Sequence, residues 1–518
     1  MANNPRGVQV TDVPTSLRVV VPADSASIIA FGAAPVGSIV INPDGTPIVW
    51  SHPGSGVSPY AQLVNKPIEC LIPSDFATQL GVSSNFGVGP IGPIGYTLSM
   101  VYDYAFVENS VSPVVAINLN DPWTMSKQVT QANLQIVNSQ IDVVGEVILA
   151  SLVVVGQSGQ TYIINVDFSF TYDDDSLGAG TIAVFSTSAL ASETSATVSF
   201  YTPDLTQITA DTVVGGVTTD GQHTGLAVLE DVYNMTDVVA CNVICPGFGW
   251  NTQVAAAANA MVQNLNGGRF RADFVGSADI QKVTHYEALV SWMSQNNFTS
   301  AFEFLTWPNI ALGDKSYYGE VALSVVMAQT DATLGSNVPY WSPDNKPVAM
   351  DSTILYAGKP ILINDQQAVA VDNLGCVTFV NDRGWYTLGG YTCAFGAGDT
   401  DIKDMWINER RMFNWLGCTM SLNLKQFIGQ PGNLRSLTTI ENTVQAFLNT
   451  LVQLGAVWNA RVSFNPDENP PAQVMAGIYK YHILWTPVTE IRTLDLLLEF
   501  DVQGLAAAIS SINLVSSS

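Results

Sequence analysis

The rhythm of hydrophobic and polar residues changes along the chain, and each change predicts a different kind of element. Residues 7–13 place Val8 and Val10 on one side of a short strand, which Pro14 ends. A second apolar run, Leu17–Val21, stops at Pro22. From 36 to 205 strand-like runs such as Ser38–Ile41, Val143–Val155, Thr161–Phe170 and Thr197–Tyr201 are divided by turn signals. Those signals include Pro43-Asp44-Gly45, the Gly/Pro-rich stretch 89–95 and Asp173-Asp174-Asp175. No long amphipathic helix interrupts them, so a sandwich or barrel is predicted.

From 206 to 359 strands and helices alternate. Strands are predicted at Asp237–Pro246, Phe270–Phe274 and Ala301–Leu305, and helices at Thr252–Leu265, Asp279–Gln295 and Tyr317–Gln329. That order implies a parallel or mixed α/β layer. From 360 to 518 short strands lead to a helix beginning near 401, with Ile402, Trp406, Phe413, Leu416 and Met420 on one face. Leu434 to Leu454 then carries a clean 3.6-residue period, with Gly455 placed as a C-cap. Strands are expected at Ile478–Trp485 and Thr493–Gln503, the second with Leu494, Leu496, Leu498, Phe500 and Val502 on one face. Both chain ends thus carry strands with no partner within turn distance. They pair either within their own domain or with another copy by strand addition.

Composition narrows the classes. The 518 residues, at about 100–200 per domain, correspond to about three or four domains. Hydrophobic residues make up 47% and charged ones 12%, a profile suited to β-structure and large assemblies. With 19 basic residues against 44 acidic, the net charge is −25. An acidic chain without a basic run excludes nucleic acid and an anionic membrane surface as expected partners. Most of the excess lies before residue 406, so the C-terminal part is nearly neutral and is expected to face a partner. No apolar stretch reads as a membrane span, and the first residues do not read as a secretory signal. The expectation is a chain made and kept in a cytoplasm.

Chemistry-bearing patterns are sparse. The histidines, His52, His223, His285 and His482, lie far apart without metal-type spacing. Cys241 and Cys245 lack the second ligand pair of a zinc site, and the six cysteines read as buried thiols. Disulfides between subunits, formed after release from a reducing cytosol, are the alternative for them. Asp173-Asp174-Asp175 reads as a solvated turn rather than a calcium loop. No glycine-rich phosphate loop stands at a strand–helix turn. No catalytic residue, metal or cofactor is therefore assigned, and the chain is read as a non-enzyme. The rival is an acidic hydrolase whose β region carries a carbohydrate cleft built from Trp50, Tyr60, Trp123 and the 173–175 acids. A static shell or surface-layer protein would share the same profile.

Several segments in order resemble the tail sheath proteins of contractile-tailed phages and related injection systems. They are Asn4–Val10, Thr224–Asp231 followed by Val239–Pro246, Tyr340–Lys346, and the helix centred on Ile407–Phe413. Phe447–Ala456 and Asn469-Pro470-Pro471 continue the likeness, which covers about 1–35 and 206–505. The resemblance implies an α+β multidomain chain: an N-terminal arm and first strands at 1–35, an inserted all-β outer domain at 36–205, an α/β middle domain at 206–359, and a tube-facing domain at 360–518 with an arm at 493–518. It implies a viral tail component assembled in a host cytoplasm, stacked as six-fold rings around a tail tube, with baseplate and terminator or neck proteins as further partners. The rings contract without nucleotide and drive the tube through a cell envelope for genome ejection. Strand exchange between subunits is expected through Gly7, Val8, Val10 and Val13 and through Leu494, Leu496, Leu498, Phe500 and Val502. Lys425, Arg435 and Arg461 are the tube-facing candidates, and Arg410 and Arg411 the interdomain or intersubunit anchors.

Overall fold

The structure is a computed structural model that describes residues 20–50, 57–86, 95–499 and 501–515, and the side chains of all of these except 502 and 510–515. Its centre is an eight-stranded mixed sheet. In chain order its strands are β1 (Ile28–Gly32), β2 (Pro67–Cys70), β3 (Val114–Asn118), β4 (Asn242–Ile244), β5 (Asp273–Ser277), β6 (Glu303–Thr306), β7 (Cys376–Asn381) and β8 (Trp385–Leu388). Across the sheet they lie in the order β2-β3-β1-β4-β5-β6-β7-β8. The run from β3 to β7 is parallel, and β2 and β8 close the two edges antiparallel.

Parallel strands covered on both faces must be apolar at successive positions. Every residue of β1, β3 and β5 is buried. Because side chains alternate across a strand, Ile29 and Phe31 enter one core while Ile28 and Ala30 enter the other. The first core is covered by helices α1 (Thr252–Val262) and α2 (Tyr286–Asn296), through Val254, Ala258, Leu289 and Trp292. The second is filled by helix α3 (Gly319–Thr333), which is apolar nearly all round and buried along most of its length. Helices α4 (Asp365–Asp372) and α5 (Ile407–Leu424) complete the covering.

The C-terminal part adds α6 (Leu434–Leu454), β9 (Val457–Ser463), β10 (His482–Pro487) and α7 (Val502–Val515). The periodic segment 434–454 is helical from end to end. Gly455 ends it with φ of 78°, a left-handed conformation that costs glycine little, and its N–H caps Leu451 and Val452. The apolar stripe Val444, Phe447, Leu448 and Leu451 is buried together with Val457, Ala460 and Val462 of β9.

Two expectations need correction. The region 36–205 is not all-β. Residues 67–118 supply β2 and β3 of the central sheet and the helices Pro73–Leu80 and Thr97–Tyr102. A short buried run such as Val114–Asn118 has no period, so strand type and sheet membership are not readable from it. The purely β part is 126–203, where a four-stranded and a three-stranded antiparallel sheet enclose their own cluster, including Ile141, Val154, Phe168, Ile182 and Phe200. It meets the body through the Tyr96–Glu146 hydrogen bond and the Trp50–Tyr201 ring contact at 5.0 Å. The strand expected at Thr493–Gln503 is also absent. Residues 493–499 have no regular structure, and α7 already begins at Val502.

Glu320 lies wholly buried at the start of α3, and burial pushes its carboxyl from 4.5 up to about 8 despite the Ser277 hydroxyl beside it. Between those values the folded chain holds a proton that the unfolded chain has lost. Stability therefore falls as pH rises through that window and levels off above it. Glu320→Gln should remove this slope. Its gain should grow from about 1 kcal/mol at about pH 5 to about 4 kcal/mol at about pH 8 in urea titrations.

Candidate assembly surface

The C-terminal arm leaves the body in two stages. Just past β10, the Arg492 guanidinium is held by the buried carboxylate of Asp372, at the end of α4, and by Glu490 Oε1 at 3.0 Å. It lies over the ring of Tyr391 at 4.3 Å and of Trp406 at 5.4 Å. Tyr391 is itself stacked between Phe395 at 3.6 Å and Trp406 at 4.5 Å. A guanidinium is suited to this position because it bonds in its plane and stacks on its faces. Asp372 takes a further bond from the Gly390 N–H at 3.2 Å. Burial raises the Asp372 carboxyl, and Arg492 opposes that shift.

Beyond this latch the arm is bare. Leu494, Leu496, Leu497 and Leu498 are 77–96% exposed, and Leu505 and Ile509 of α7 are about half exposed. Burying one such leucine is worth about 1.5–3 kcal/mol. A run of them in water marks an interaction surface. Beside it, β9 and β10 form a sheet of two strands only, in the register Ala460↔Trp485, Arg461↔Leu484 and Ser463↔His482. The outer edge of β9 is closed by α6, where the Gln445 amide donates to the Ala460 carbonyl at 3.1 Å and accepts from the Val462 N–H at 3.0 Å. Among the described residues the outer edge of β10 is unpaired, so it can accept a further strand. Trp458, 72% exposed, and Leu484 leave apolar surface on it.

The remaining candidates fall as follows. Gly7, Val8, Val10, Val13 and Phe500 lie outside the described residues, and Val502 opens α7. Leu494, Leu496 and Leu498 sit on the bare arm rather than on a strand. Lys425 just past α5, Arg435 in the first turn of α6 and Arg461 on β9 are exposed, and no ion pair among the described residues uses them.

Arg411 and Arg410 are spent inside the chain. Arg411 donates to Asp331 of α3 at 2.6 and 3.2 Å and to the Ser25 carbonyl at 3.1 Å. Arg410 donates to Asp404 at 2.8 Å and lies over the Phe302 ring at 4.6 Å. Arg411 thereby ties α5, α3 and the segment before β1 together. The Arg492 latch was not legible in the sequence, since Asp372, Tyr391, Trp406 and Arg492 share no local pattern.

Other chemistry does not converge. His223 pairs with Asp231 at 2.8 Å and His482 with Glu468 at 3.2 Å, on separate elements. Asp173 and Asp174 accept bonds from Thr181 and Ser176 within their own turn region. Among the described residues no group of three His, Cys, Asp or Glu is placed to hold a metal. Tyr60 and Trp123 are buried in the core and do not line a cleft. All six cysteines are free, five of them buried, and burial pushes Cys418 up to about 11.

The comparisons with known proteins agree with this layout. No protein-family model matches the chain. The tail sheath protein of Burkholderia phage BcepMu is 23% identical over 500 residues, covering 93% of this chain and 94% of the relative. A prophage major tail sheath protein of Pseudomonas aeruginosa strain UCBPP-PA14 is 24% identical over 290 residues, covering 54% of this chain and 69% of the relative. In structure, the helical sheath of the anti-feeding prophage in its contracted state superposes with a TM-score of 0.53 at 12% identity, covering 96% of this chain and all of that one. The chain is similar to contractile tail sheath proteins in sequence and in fold.

Two outcomes follow. Limited proteolysis of the isolated chain should cut first within 493–499. Arg492→Ala, which leaves Asp372 buried and unpaired, should extend cleavage back to 488 and cost about 2 kcal/mol locally by hydrogen exchange. On a non-reducing gel the native assembled protein should run as monomer, because five of its thiols are buried within the chain.

Proposed function

We propose that this chain is the sheath subunit of a contractile phage tail. Copies stack as rings around an inner tube and contract to drive it through a host envelope for genome ejection. The carrying observation is the bare arm beyond the Arg492 latch, placed beside a two-stranded ladder whose β10 edge is unpaired among the described residues. Arm and ladder are complementary: one lacks a cover and the other lacks strands. In this reading the 493–499 segment takes strand conformation only when it joins a neighbour's ladder. The N-terminal residues Gly7–Val13 join the same mesh. Backbone ladders then act as tethers while the bodies rotate as rigid units, and contraction proceeds without dissolving the contacts. A small gain per subunit is enough when many move together. Of Lys425, Arg435 and Arg461, those not engaged between subunits face the tube protein, whose surface would then be acidic. Baseplate and neck proteins cap the two ends, and the particle is assembled in the host cytoplasm.

The test is electron microscopy of the purified chain and of a variant lacking 493–518. Wild type should form tubes of stacked rings in two geometries, wide and narrow, and the truncated variant should remain dispersed. Tubes of a single fixed geometry would instead favour a static shell. A wild-type chain that stays monomeric at high concentration would overturn the sheath reading.

A further inference from the structure

The root of the arm does more than leave the body: residues 488–492 form one wall of a groove of about 610 Å³. The opposite wall is built by the 340–346 segment, by Thr387 and Leu388 of β8, and by Asn408 of α5. The charges around it do not balance. Asp344 and Glu490 line it, with Asp372 close behind, against only Lys346 and Arg492. Both cations are already committed. Lys346 Nζ donates to the Asp344 carbonyl at 2.8 Å and lies over the Trp341 ring at 5.4 Å. Arg492 serves Asp372 and one oxygen of Glu490.

Asn408 Oδ1 and Glu409 Oε2 find no partner at this place, and Glu490 Oε2 has only the Ser342 hydroxyl nearby. Asn408 is 2% exposed and Glu409 1%, and the Glu490 side chain is 9% exposed. Leaving buried polar oxygens unpaired costs about 1–3 kcal/mol each, so such a group is ordinarily completed by something. Burial pushes the Glu409 carboxyl up to about 8, with the neighbouring Glu490 adding to the rise. What the groove lacks is a cation carrying several N–H donors. Among the described residues these carboxylates are not grouped so that three could hold a metal. The same chain carries exposed cations with no ion pair among the described residues, Lys425, Arg435 and Arg461.

We propose that this groove is an intersubunit socket, in which an arginine or lysine side chain of a second copy of the chain bonds Asn408 and Glu490 and neutralises the acid excess. The proposal rests on the sheath reading. It adds a polar contact at the arm's root, separate from the exchange of the arm itself. Because residues 488–492 are one wall, the socket exists only while the Arg492 latch is closed. Arm position and subunit docking are thereby linked.

The test measures the critical concentration for tube formation by sedimentation, with thermal melts of the dispersed chain as the fold control. Glu490→Gln should leave the melt within a few degrees of wild type and raise the critical concentration at least tenfold. Glu490→Arg should abolish tubes, and one of Lys425→Glu, Arg435→Glu or Arg461→Glu should abolish them alone and restore them when combined with it. A second readout does not depend on assembly. Arginine methyl ester should quench Trp341 saturably in the dispersed wild type, taken as the difference from Trp341→Phe, and should do so at least tenfold more weakly in Glu490→Gln. Wild-type tubes with Glu490→Gln unchanged within twofold, or an absent Trp341 response, would overturn the socket and leave the sheath reading standing. No tubes from wild type would overturn both.

Discussion

The buried ion pair between Arg411 and Asp331 is the constraint on which the body depends. It joins α5, α3 and the backbone just before β1, three segments from distant parts of the sequence. Two charges out of water are costly, and this pair is repaid only because both oxygens of Asp331 and the Ser25 carbonyl are satisfied at once. Asn414, next along α5, repeats the pattern by donating to the buried Asp273 of β5 at 2.7 Å. An apolar core could be stable with α5 shifted by a turn along the sheet. A guanidinium that must meet Asp331 and Ser25 together permits one register only. The orientation of the C-terminal part relative to the sheet follows from that register.

The C-terminal part is built on the opposite logic. There the apolar surface is left uncovered and the β10 edge of the ladder unpaired among the described residues. Leu494 to Leu498 would aggregate a free monomer if they were presented on a flat edge. Instead they follow a charged latch and are interspersed with Asp495 and Glu499, which keep the bare segment solvated.

What the sequence made legible divides along the same line. Alternation of strand and helix from 237 to 333 was readable because each helix there has a period or an Ala-rich run of its own. Leu434–Leu454 was readable from its stripe and its capping glycine. The membership of Pro67–Cys70 and Val114–Asn118 in the central sheet was not, because short buried strands look alike whichever sheet they join. The segment 493–499 alternates as a strand should, yet it has no regular structure and no strand partner among the described residues, so alternation alone did not decide it. The Arg492 cluster was invisible for a different reason. Its members are brought together only by the fold, and each is unremarkable alone.

The position of the Arg492 latch has a mechanical meaning. A force that pulls the arm away from the body would, without the latch, reach β10 at its last residues and peel it from β9 one hydrogen bond at a time, the weakest direction in which to load an antiparallel ladder. Arg492 intercepts that force beyond the end of the strand. It hands the load to Asp372 and the Tyr391–Trp406 stack, and so to the helix behind the central sheet. The latch works as a cleat on a rope: tension in the arm is borne by the thickest part of the molecule, and the thin hairpin near its root is spared.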